Sequence, residues 1–171
     1  DVQAGEGDDA TQEHAIILAA SLTNRFIEGG KAVGLAGEGG GLIWEPPRLE
    51  ESQKWQILRS LALAGEGDRP LADLLEGARR SLKHRSSLIV ITPDLSGDWL
   101  DPLLLYLQRG IVPTVLLLDT PAFGGKGNLE KIQRRLVELE IRFYVIDPAC
   151  IDRIEKQALV EQEYAGEKRN A

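Results

Sequence analysis

The chain has 171 residues, 43% hydrophobic and 27% charged, the mix of a globular protein long enough to bury a full core. A net charge of −7 argues against a phosphate-binding surface, and hence against nucleic acid as a partner. The single cysteine, Cys150, excludes an internal disulfide, and no apolar run approaches the roughly 20 residues of a membrane span.

In chain order, an acidic, glycine-containing opening precedes a helix expected from Thr11 to Ile27. Ala15, Leu18, Leu22 and Phe26 recur there at helical spacing. Asp9 or Thr11 is the cap candidate, and Gly29-Gly30 ends the helix. Residues 32–36 read as a strand, Gly37-Glu38-Gly39-Gly40-Gly41 as a tight reversal and residues 42–45 as the antiparallel partner. Pro46-Pro47 is expected to stop that partner, as prolines do on an edge strand. A helix follows over 49–64 with Trp55, Leu58, Leu61 and Ala62 on one face. After a Gly-rich loop, Pro70 opens a helix carrying Leu71, Leu74, Leu75, Ala78 and Leu82.

The pattern then becomes regular. Strands are expected at 87–92, 112–118 and 141–146, followed in turn by a helix from Ser96 to about Gln108, one opening at Asn128 and one opening at Asp147-Pro148. These strands are almost wholly apolar, as parallel strands covered on both faces are. The expected fold class is therefore α/β: a doubly wound, mostly parallel sheet with helices on both faces and one antiparallel edge strand. Residues 1–166 are expected to form one domain and 167–171 a frayed tail. The chain lacks methionine and opens abruptly on Asp1-Val2-Gln3-Ala4, so it is read as a piece of a longer protein, with no signal peptide visible.

In open α/β sheets ligands bind at the carboxyl ends of the strands. Asp94 falls there, directly after Thr92-Pro93, and either joins a ligand site or caps the next helix. Asp119 and Asp147 also follow strands, and helix capping accounts for Asp147. The loop Phe123-Gly124-Gly125-Lys126-Gly127-Asn128 is Gly-rich but lacks the phosphate-loop spacing. His14 and His84, the two histidines, fall on helices, the second within the basic helix end Arg79, Arg80, Lys83, His84, Arg85, where cations complement the helix dipole. Cys150 reads as a small core hydrophobe. Trp44 and Trp99 read as packing residues, though a loop tryptophan can also anchor a partner.

The segments "EHAIILAASLTNRFIEGGKAVGLAG", "RPLADLLEGARRSL" and "SLIVITPDLSGDWLDPLLLYLQRGIVPTVLLLD" resemble the DUF58 family of bacterial proteins, a branch of the von Willebrand factor A-like (vWA) domains. The resemblance spans residues 1–147 and implies a Rossmann-like fold whose first strand is truncated here. The sheet would then be completed by another segment or chain, with self-association through the incomplete sheet as one expectation, or it would fold around a short remnant. The family's metal-ion-dependent adhesion site carries a D-x-S-x-S motif, which falls on Asp1, Gln3 and Gly5, so both serines are replaced. Its threonine falls on Arg69 and its last aspartate on Asp94. Such oxygen ligands suit Mg²⁺, with Asp1 and Asp94 as the ligands left here, so the site is read as degenerate and no cofactor is expected. Arg69 either places its guanidinium at the cation position, paired with Asp1 and Asp94, or points to solvent while Asp94 caps the helix near Ser96.

The resemblance implies a noncatalytic protein-interaction domain working with a MoxR-type AAA+ ATPase. It further implies a cytoplasmic domain of a protein that is membrane-anchored through segments outside this chain. The candidate ligand edge is Asp1, Gln3, Gly5, Arg69 and Asp94, with Ser96, Asp98, Trp99, Asp119 and Lys126 as partner contacts. The alternatives are a metal-dependent hydrolase using Asp94 and Asp119, or a structural module making no switchable contact.

Overall fold

Apolar runs of five or six residues, punctuated by glycine, proline and Asx residues, set the order of elements. The computed structural model describes residues 3–5, 7, 10–65, 67–82 and 86–150. Asp1, Asp9, the Lys83-His84-Arg85 stretch and everything after Cys150, the expected tail included, lie outside the described residues. The elements are α1 (Thr11–Glu28), β1 (Val33–Glu38), β2 (Leu42–Arg48), α2 (Glu51–Ala62), α3 (Leu71–Ala78), β3 (Leu88–Thr92), α4 (Leu100–Leu107), β4 (Pro113–Leu118), α5 (Leu129–Glu138) and β5 (Arg142–Ile146).

The apolar strands β3, β4 and β5 pair in parallel in that order, Leu88 opposite Pro113 and Thr114 opposite Arg142. Alternate side chains point to opposite faces. Val90, Val115, Leu117 and Phe143 meet Trp99, Leu103 and Tyr106 from the α4 side, and Ile132 and Leu136 of α5. Leu75 of α3 joins the same core. The other parity, Ile91, Leu118 and Ile146, packs with Ala15, Ile17 and Leu18 of α1 and with Ala4 and Phe123. The parallel sheet is thus flanked by helices on both faces, as the apolar runs require.

The hairpin departs from expectation. Strand β2 does not stop at Pro46-Pro47; it continues to Arg48, and the pairing slips by one residue between Leu35↔Glu45 and Val33↔Arg48. The prolines sit in this bulge, where a missing N–H costs no ladder bond. Gly34 makes the bulge fit, because a Cβ there would meet Glu45 O at 2.7 Å and the Pro47 ring at 2.8 Å. Gln53 of α2 is buried beneath it, and its Nε2 donates to Pro46 O (2.9 Å) and Val33 O (3.1 Å). The inward stripe of α2 is therefore Gln53, Ile57 and Leu61, and Trp55, expected on the packed face, is 68% exposed.

A single sheet was expected, whereas the described residues form two. Strand β1 pairs with β2 alone and β3 with β4 alone, so β1 and β3 each keep one unpaired edge among the described residues. Helix α1 touches both strands and spans the two sheets. Residues 3–5 form no strand. Thr11, a cap candidate for α1, is instead its first residue and fastens residue 4: its Oγ1 accepts from Ala4 N at 3.1 Å and its N–H donates to Ala4 O at 2.8 Å. No helix among the described residues is long and apolar enough to cross a membrane.

Candidate functional site

Residues following β3 and β4 form the carboxyl edge of the parallel sheet. Helix α4 begins at Leu100 rather than Ser96, because residues 93–99 are held in successive side-chain turns. Thr92 Oγ1 accepts from Asp94 N at 3.1 Å, and Asp94 Oδ1 accepts from Ser96 N at 2.7 Å. Ser96 Oγ then accepts from Asp98 N at 3.3 Å. Asp94 thus closes a turn of the loop, as an Asx residue does where its carboxylate satisfies a nearby backbone N–H.

Two further bonds make this loop rigid from below. Trp99, read as a packing residue that can also meet a partner, is packed: it is 0% exposed in the core, and its indole N–H donates to Asp94 O at 3.1 Å. Burying so large a ring while its N–H finds a carbonyl fixes the loop firmly. The second bond comes from Thr120, whose buried Oγ1 donates to Pro93 O at 2.7 Å and ties the β4 loop to the β3 loop. Sequence reasoning passed over Thr120, and its one local signal was a hydroxyl two residues past a strand end.

In the β4 loop, Asp119 N donates to Ile146 O (2.9 Å) and its Oδ1 accepts from Ala122 N (3.3 Å). Gly125 lies against the N-terminal residues, since a Cβ there would meet Ala4 Cβ at 2.5 Å and Thr120 Cγ2 at 2.6 Å. Phe123 meets the ring of His14 edge to face, with centroids 4.7 Å apart. His14 is buried, with Nδ1 donating to Ala10 O at 3.0 Å, so it belongs to the core. Asn128 caps α5 as expected, its Oδ1 accepting from Lys131 N at 2.9 Å. Asp147 likewise accepts from Cys150 N, at 2.7 Å.

Arg69 does not pair with Asp94. Its Nε donates to Glu38 Oε2 at 3.1 Å, at the end of β1, with the arginine side chain 46% exposed. Gly67 packs directly against Glu38, so the loop carrying Arg69 is drawn to the hairpin and not to the β3 loop. The same loop is linked to α1 where Gln12 Nε2 donates to Ala64 O at 3.4 Å. Asp1, the other expected partner of Arg69, lies outside the described residues, while Gln3 and Gly5 are exposed.

The edge therefore brings together residues 3–5, 93–98 and 119–126, with Ser96, Asp98 and Lys126 facing solvent. Its described residues do not fit a resident Mg²⁺. Gln3 and Gly5 supply no hydroxyl, one Asp94 oxygen is engaged by Ser96 N, and Arg69 is held by Glu38. Nor do any three of His, Cys, Asp and Glu converge as metal ligands among the described residues. What the edge offers is a fixed surface of charged and hydrogen-bonding groups on loops that a rigid sheet positions. Comparison with family models, with curated proteins and with solved structures found no match.

Proposed function

We propose that this chain is a vWA-like domain of the DUF58 kind that binds a protein partner through the carboxyl edge of its parallel sheet, without catalysis and without a metal. The observation that carries the reading is the cross-linked loop pair. Thr120–Pro93, Trp99–Asp94 and Asp94–Ser96 hold two adjacent loops in one shape, while Ser96, Asp98 and Lys126 stay exposed between and beside them. Preorganised loops bind with less ordering cost than mobile ones. The partner that the resemblance implies is a MoxR-type AAA+ ATPase, and the setting it implies is the cytoplasmic side of a membrane-anchored protein.

A hydrolase would need carboxylates free to activate water or hold a metal. Asp94 and Asp119 instead each accept from a backbone N–H of their own loop. The test is the affinity of the 171-residue chain for a MoxR-type ATPase from the same source. Asp98→Lys combined with Lys126→Glu is expected to weaken binding by about tenfold, chiefly through a slower association rate. Unchanged binding would overturn the reading, as would ester or phosphate hydrolysis that is lost in Asp94→Asn.

A further inference from the structure

The connections entering the parallel strands and those leaving them carry opposite charge. Residues 79–82, 86–87, 108–112 and 139–141 lead into β3, β4 and β5, and hold Arg79, Arg80 and Arg109 against Glu140. Residues 93–99, 119–128 and Asp147 lead out of them, and hold Asp94, Asp98, Asp119 and Asp147 against Lys126. Because the strands are parallel, these two sets lie at opposite ends of the sheet.

The basic end is a physical cluster as well as a sequence pattern. Arg109 Nη2 donates to Leu82 O at 3.3 Å and Nη1 donates to Arg79 O, joining the first two connections. Helix dipoles favour cations at such carbonyls, which accounts for Arg109. They do not account for Arg80 or for Arg142 at the start of β5, both exposed. Neither makes an ion pair or a hydrogen bond to a carboxylate among the described residues, where Glu138 is taken by Arg135. Beside them Val112 is 63% exposed.

We propose that this basic edge docks onto the acidic carboxyl edge of a second copy of the chain, head to tail. The net charge of −7 disfavours approach to nucleic acid or an anionic bilayer. A second copy carries the complementary acidic edge at the right end of the same fold. The contact is heterologous: each molecule keeps one edge of each sign free, so association continues beyond a dimer.

The test is sedimentation of the 171-residue chain over a range of concentrations, in low salt and in roughly 0.5 M NaCl, where screening falls to a few ångströms. Association that weakens by about tenfold or more in high salt is expected. Arg80→Glu and Asp98→Lys should each prevent self-association alone. Mixed together they should associate again, since each supplies the edge the other lacks. A monomer at every concentration in low salt would overturn the proposal. So would association that survives both substitutions and high salt, which would place the contact on the open edges of β1 and β3. Melting temperatures within a few degrees of the parent chain establish folding, and Arg142→Glu replaces Arg80→Glu if that variant does not fold. No other protein is present, so the outcome leaves the proposed partner untouched.

Discussion

The phenol of Tyr106 is fully buried on α4 and donates its O–H to Leu75 O, pinning α3 to α4. Desolvation raises its pKa above the ordinary 10.0, and the nearby Arg79 and Arg109 only partly oppose this. An unfolded phenol therefore ionises before the folded one. Above about pH 10 the unfolded state binds fewer protons, and stability falls as pH rises toward the folded pKa. Tyr106→Phe should remove this part of the alkaline fall while losing about 0.5–1.5 kcal/mol at pH 8, the worth of one hydrogen bond, since Leu75 O still accepts from Arg79 N. Urea unfolding at pH 8 and between pH 10 and 11 checks both, and an unchanged alkaline slope would contradict the assignment. Gly125 makes a second prediction at this scale. A methyl group there meets Ala4 and Thr120 within 2.6 Å, so Gly125→Ala should cost about 1–3 kcal/mol by overpacking, read as a lower melting temperature.

Among the elements, α2 and the bulged hairpin depend on one polar side chain. Gln53 Nε2 serves two backbone carbonyls at the bulge, Pro46 O and Val33 O. Gln53→Leu keeps the volume but removes both bonds, and should destabilise by about 1–3 kcal/mol. Thermal unfolding measures the loss, and a neutral substitution would show that water reaches those carbonyls. This is also where reading the sequence fell short, for a physical reason. The parallel strands were legible because their apolar runs record burial on both faces directly. The α2 stripe was not, because a glutamine records burial only together with the carbonyls it serves. The spacing of Trp55 places it on one face with Leu58, Leu61 and Ala62, and it is exposed. The proline pair looked like a strand stop, and only the opposed Gly34 allows the strand to bulge past it.

At the scale of the whole molecule, the order of elements along the chain was legible, but not that β1–β2 and β3–β5 would form separate sheets with α1 against both. The candidate edge was half legible. Asp94, Ser96, Asp98, Asp119 and Lys126 all lie on the two loops expected, because those loops follow strands whose ends are marked by apolar runs. Thr120 escaped notice because its partner, Pro93 O, is 27 residues away in the chain, and such pairings have no local signature. Arg69 was misplaced for the same reason: its partner Glu38 is 31 residues distant. The central claim is that the two cross-linked loops form the face a protein partner contacts. The most direct measurement is hydrogen exchange along the chain with and without a MoxR-type ATPase. Slower exchange confined to peptides covering residues 93–99 and 119–128 is the predicted result. Protection at residues 79–87 and 108–112 instead, or none anywhere at saturating ATPase, would contradict it.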